Sequence, residues 1–102
     1  MIKIYLKGRN DSYSASGLYN EKDNTVTVLK GSKINEKIDP FKGATAIENH
    51  RKGKIKNGTV IEDVCFKSPS TAANFITGRS TNGLIAWKGE NGTTLKVVKS
   101  SL

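Results

Sequence analysis

Ile2, Ile4 and Leu6 alternate with Lys3, Tyr5 and Lys7, the period-two pattern of a strand with one face turned to a core. A first strand is therefore predicted over 2–7. After the polar stretch 8–12, the run from Tyr13 to Tyr19 alternates more loosely. Glu21, Lys22, Asp23 and Asn24 then supply turn residues before Thr25-Val26-Thr27-Val28-Leu29, a β-branched run suited to a pleated surface. Together these segments predict an antiparallel hairpin. Residues 35–43 are polar, are interrupted by Pro40 and keep neither period, so they are predicted to be a connecting loop.

Thr45 and Glu48 stand three apart, the spacing at which a hydroxyl and a carboxylate cap a helix start reciprocally, and Gly53 lies where a left-handed cap would end it. A short helix over 46–52 follows. Its inner side holds little more than Ala44, Ile47 and His50, so tertiary packing must support it. Asn57-Gly58 marks a tight turn, with a short strand over 59–62. The clearest helix start is Ser68-Pro69, a capping hydroxyl followed by the residue that loses nothing at the first helical position. Ala72, Ala73 and Ile76 share one face, Phe75 flanks it, and Gly78 stops the helix. Leu84 to Trp87 is predicted as a strand, Gly89 to Gly92 as a turn, and Leu95 to Val98 as the returning strand. The sum is a single α+β domain over 1–102, a small antiparallel sheet of about five to six strands packed with two short helices.

Composition supports a folded chain: of 102 residues, 35% are apolar, and the ten glycines bring the total near the ordinary globular level of roughly 45%. No run of apolar residues is long enough for a membrane span, and Met1 leads into Ile2-Lys3-Ile4 rather than a secretory signal. A cytoplasmic location is the expectation. One cysteine and one histidine cannot make an internal disulfide or an ordinary zinc site. Cys65, within Val64-Cys65-Phe66, is expected to pack in the core, and His50 to face solvent or a phosphate. Glu62 and Asp63 would point to opposite faces of a strand. No nucleotide-binding loop is present, since the stretch from Gly78 to Gly83 follows a helix instead of opening one. Catalytic residues, metals and small-molecule cofactors are therefore not expected, and the chain is not expected to be an enzyme.

The charge is the informative quantity. Seventeen Lys and Arg against nine Asp and Glu leave +8, with a pI near 9.8, in the range where a nucleic-acid partner is expected. Residues 1–41 carry a net of +2 and residues 42–102 a net of +6. The densest cluster is Arg51, Lys52, Lys54 and Lys56. Arg79 sits in a polar loop, Asn82 follows it, and Trp87-Lys88 comes shortly after. Trp87 suits either base stacking or the core. The amino end of the helix at Pro69, with Lys67, Ser68 and Ser70, is a candidate phosphate anchor, although capping explains the serines equally. Fourteen of the seventeen bases are lysines, which also fits a solvated surface that aids solubility.

Taken together, Ala15-Ser16-Gly17, Val28-Leu29-Lys30-Gly31-Ser32, Phe66-Lys67-Ser68-Pro69-Ser70-Thr71-Ala72-Ala73, Gly78, Asn82-Gly83 and Trp87-Lys88 resemble the bacterial family named domain of unknown function 4357 (DUF4357). The resemblance covers roughly residues 13 to 96 in the expected order. It implies an accessory module of restriction, modification or repair systems, often found after a GIY-YIG nuclease domain and similar to restriction-and-methylase-associated (RAMA) modules. Contact with DNA and recognition of modified bases are part of that implication. Gly31 and Gly78 match as chain punctuation, Ser68 and Pro69 as a cap, Ala72 and Ala73 as packing. Leu84 stands where relatives often carry a second aromatic, which weakens a base-stacking pair there. The 102 residues hold no nuclease or methylase domain, so a separate nuclease or methyltransferase subunit is the expected source of any chemistry.

The leading expectation is thus a non-enzymatic module that binds duplex DNA. Arg51, Lys52, Lys54, Lys56, Arg79 and Lys88 are the candidate phosphate contacts, and Asn82 and Trp87 the candidate base contacts. The alternative is a protein-interaction or adaptor module without direct DNA binding. No membrane partner is expected.

Overall fold

The alternation at the start of the chain becomes a strand pair in the computed structural model, which describes residues 1–102. Strand β1 (Ile2–Lys7) runs antiparallel to β2 (Ser14–Asn20), with Ile4 opposite Gly17 and Leu6 opposite Ala15. β2 continues through the turn at Glu21 to Asn24 into β3 (Thr25–Val28). That turn is held by the Asp23 carboxylate, which accepts from the Thr25 amide at 3.1 Å and its hydroxyl at 2.7 Å. These two bonds hold the Asp23 pKa below its ordinary value.

Helix α1 (Ala44–Arg51) begins two residues earlier than predicted, after Gly43 and without a side-chain cap. Thr45 lies inside the helix and is exposed, so the expected capping box does not form. The small hairpin β4 (Ile55–Lys56) and β5 (Thr59–Val60) turns on Asn57-Gly58, both with positive φ, as the Asn-Gly pair predicts. β6 (Val64–Phe66) then pairs with β3, giving a four-stranded antiparallel sheet in the order β1-β2-β3-β6. Cys65, the middle residue of β6, is exposed and not buried as expected. The cause is the strand period: Phe66 points into the core, so its neighbour points out.

Helix α2 (Pro69–Thr77) forms as the sequence predicts. The Ser68 hydroxyl accepts from the Thr71 amide at 3.2 Å, and Gly78 ends the helix at φ 74°. A side chain at Gly78 would also strike the Lys37 carbonyl. α2 lays Ala72, Ala73, Phe75 and Ile76 on the inner face of the sheet, against Ile4, Leu6, Tyr19, Val26 and Val28, all buried.

The two C-terminal strands predicted from Leu84 to Trp87 and from Leu95 to Val98 are helical instead. α3 (Gly83–Ala86) and α4 (Leu95–Ser100) are short turns of helix. Four-residue apolar runs satisfy either period, and local bonds decide the matter. Asn82 Oδ1 accepts from the Leu84 amide at 3.0 Å, and the Asn82 carbonyl accepts from Ala86 at 2.9 Å. The Gly83 amide donates to Ser70 Oγ at 3.0 Å, and a Cβ on Gly83 would collide with the Pro69 carbonyl. Only glycine lets α3 lie this close to the start of α2. The six strands form a four-stranded antiparallel sheet and a separate two-stranded one, where the sequence reading expected one sheet of five to six, and β4 and β6 were not predicted.

Trp87 follows α3, is fully buried, and donates its indole N–H to the Pro69 carbonyl at 3.0 Å. It is a core residue, so the base-contact role considered for it is corrected. Exchanging Trp87 for Phe removes the indole donor and part of a fully buried ring. Urea unfolding followed by circular dichroism should show a loss of about 1–3 kcal/mol. Cys65 should react stoichiometrically with a maleimide in the folded protein, without denaturant, in a mass-spectrometric assay.

Candidate nucleic-acid interface

The basic cluster that dominates the sequence is dispersed by the fold. Arg51, the last residue of α1, reaches across to the carboxyl end of α2. Its Nε donates to the Phe75 carbonyl at 3.1 Å and its Nη2 to the same oxygen at 2.7 Å. A helix leaves its last carbonyls without internal partners, and a guanidinium fork meets that need. Burial lowers the Arg51 pKa, and the charge of Glu36 opposes the shift. Arg51 is therefore a clamp between two helices, which corrects its assignment as a phosphate contact. Lys54 pairs with Glu62 across the base of the β4–β5 hairpin. Lys52 is exposed beside a hollow it shares with Glu36 and Glu48. Lys56 is exposed and has no acidic partner. His50 is exposed and sets its ring edge-on to Phe66 at 5.2 Å. Consecutive charges in sequence thus serve three unrelated purposes.

The amino end of α2 is likewise occupied. Ser68 caps Thr71, Ser70 accepts from Gly83, and the Pro69 carbonyl holds Trp87. These groups serve the fold, and the phosphate anchor considered there is corrected.

The second set of candidates fares differently. Beyond Gly78 the loop is tied down from below: Arg79 N donates to Thr77 Oγ1 at 3.3 Å and Thr81 N to Asn74 Oδ1 at 2.8 Å. The Thr77 and Thr81 hydroxyls lie 2.7 Å apart. With its backbone so held, the Arg79 side chain is exposed. Asn82 uses its amide oxygen to cap α3, and its amide NH2 has no protein partner. Lys88 is placed by an antiparallel bridge to Tyr5 at the edge of β1, with N–O distances of 2.7 and 2.8 Å.

The loop, α3 and the end of β1 enclose a groove of about 430 Å³. Arg79, Asn82 and Lys88 line it together with Lys7, Tyr13, Leu6, Ile85 and Ala86. Its lining contains no carboxylate. Three cations with no ion-pair partner, an amide donor and a half-buried tyrosine share this lining with three apolar side chains. Such a groove can hold phosphate oxygens beside its cations and a flat ring against its tyrosine or apolar side chains.

Three of the eight sequence candidates are thus brought together, Arg79, Asn82 and Lys88. Lys52, Lys54 and Lys56 lie elsewhere on the surface, Arg51 is half-buried between helices, and Trp87 is in the core. Lys7 and Tyr13 were missed. The period of β1 already turns Lys7 outward, but its meeting with Arg79 requires the chain to return from α2 to β1. No cluster of three His, Cys, Asp or Glu side chains is placed to bind a metal, and no helix is long and apolar enough to cross a membrane. Replacing Arg51 by Ala should lower unfolding stability by about 1–2 kcal/mol, the lower part of the range for bonds to a charged donor because the group is half exposed. Thermal and urea melts check this.

No curated protein and no solved structure matches the chain. The sequence model of the family described as "Domain of unknown function (DUF4357)" matches residues 4–99. That span includes every strand residue from Ile4 onward, all four helices up to Lys99, and the whole lining of the groove. With nearly its full length matched, the chain belongs to the DUF4357 family.

Proposed function

We propose that this domain is a non-enzymatic DNA-binding accessory module, and that the groove between the Arg79 loop, α3 and the end of β1 is its contact surface. The observation that carries the proposal is the meeting of Lys7, Arg79 and Lys88 on one groove whose lining has no carboxylate. A polyanion is the partner that such a surface attracts. The Asn82 amide and the Tyr13 ring add a hydrogen-bonding group and a flat face where a base edge would lie. Association with restriction, modification or nuclease systems, and recognition of modified bases, belong to the same proposal. A separate nuclease or methyltransferase subunit then supplies the chemistry.

A protein-adaptor role rests on a different observation. The hollow of about 540 Å³ beside α1 is lined by Ile34, Ile38 and Ile55 together with Glu36, Glu48 and Lys52. A protein partner whose binding is insensitive to salt, with no DNA affinity, would favour it.

Fluorescence anisotropy with labelled duplexes, unmodified and methylated or hydroxymethylated, across a salt series separates the two. Binding tighter than the non-specific level of about 10⁻⁴–10⁻⁶ M near physiological salt is expected. Arg79→Ala and Lys88→Ala should each reduce the salt-dependence slope by about 0.9, the value of one phosphate contact. Binding no tighter than the non-specific level would overturn the proposal.

A further inference from the structure

The cross-strand register places three lysines, distant in sequence, in one row on the solvent side of the molecule. Lys7 is opposite Ser14 in the β1–β2 ladder. Ser14 is bridged on its other side to Lys33, Lys33 to Thr59, and Thr59 pairs with Lys56 in the β4–β5 hairpin. Residues directly opposite in antiparallel pairs project to the same face. The row is therefore Lys7, Ser14, Lys33, Thr59, Lys56, with a hydroxyl between each pair of lysines.

Several bonds make Lys33 part of this row. After β3 the chain swings out through Gly31, at φ 92°, and the buried Ser32 hydroxyl accepts from the Ser16 amide at 3.1 Å. It re-enters at Lys33, whose N–H and C=O both bond to Ser14, at 2.7 and 3.0 Å. On the far side Val60 N donates to the Ser32 carbonyl at 2.8 Å. Ser32 and Ile34 are buried on either side of Lys33, so its own side chain is exposed. Lys7 and Lys56 are also exposed, and none of the three is in an ion pair.

Neighbouring strands are about 4.8 Å apart, so successive lysines stand about 10 Å from one another and the row spans about 20 Å. At a rise of 3.4 Å per base pair, that is the length of about six base pairs. Lys7 also lines the groove with Arg79 and Lys88. The row and the groove therefore share a residue and form one continuous basic path. Asp11 is the one carboxylate in the hollow between Lys7 and Lys33.

We propose that the row Lys7, Lys33 and Lys56 is a track for the phosphate backbone of duplex DNA, with the Ser14 and Thr59 hydroxyls as intervening donors, leading into the groove at Arg79. This rests on the DNA-binding reading above and adds a direction, a length and a residue, Lys33, that the groove does not contain. The track positions the duplex and carries no sequence information, as backbone contacts do.

The test neutralises track lysines against lysines of equal charge elsewhere. Lys33→Gln and Lys56→Gln are compared with Lys22→Gln, in the β2–β3 turn, and Lys96→Gln, on α4, all exposed. Anisotropy titrations use one labelled 16-base-pair duplex across a salt series. Each track variant should lower the salt slope by about 0.9, which is about an eight-fold loss of affinity at 0.1 M salt, while the two controls match wild type. Asp11→Asn should strengthen binding. If Arg79→Ala weakens binding but the track variants behave like the controls, the track is overturned and the groove stands. If the track variants lose affinity and Arg79→Ala does not, the track stands and the groove reading falls. If the wild-type domain does not bind the duplex, both fall.

Discussion

The indole of Trp87 holds the two halves of this domain together. The ring is fully buried under the sheet, its N–H bonds the carbonyl of Pro69 at the start of α2, and the backbone carbonyl of Trp87 accepts from the Leu95 amide at the start of α4 at 2.8 Å. The residue after it is bridged to Tyr5 of β1. Trp87 and the backbone on either side of it thus fix α2, α3, α4 and the edge of the sheet relative to one another. Everything proposed for the surface depends on this arrangement, because Arg79, Asn82 and Lys88 are carried by the segments that Trp87 ties down. The absence of a side chain at Gly83 belongs to the same arrangement, since it permits the approach that brings the indole within reach of Pro69.

The half of the chain with strong local signals was legible before the structure. Alternation fixed β1 to its end residues, Ser68-Pro69 and Gly78 bounded α2, and Asn57-Gly58 marked its hairpin. The C-terminal third was misread for a physical reason. Leu84 to Trp87 and Leu95 to Val98 are too short for periodicity to separate strand from helix, and the bonds that decide, Ser70 to Gly83 and Pro69 to Trp87, come from a distant part of the chain. Cys65 was misjudged because an apolar run was taken as buried throughout, although a three-residue edge strand shows only alternate side chains to the core.

The charges teach a related lesson. Density along the chain pointed to residues 51 to 56, yet folding divides them among a helix clamp, an ion pair and open surface. The cations that do converge, Lys7, Arg79 and Lys88, are widely separated in sequence and meet only because strand and loop are brought together. Lys33 is more extreme. It is isolated among uncharged neighbours and becomes the middle of a row only through backbone pairing on both of its sides.

The bridge between Tyr5 and Lys88 has a consequence for how the domain comes into being. It joins β1 to a residue 83 positions further along the chain, and the β1 edge has no partner at that position until the two meet. Contacts of such long sequence separation carry a loop-closure cost that is met before any reward arrives, and they slow folding. Before that pairing forms, the sheet has an exposed edge beside β1. Closure of the β1 edge therefore completes the domain, and the basic groove exists only once it is made.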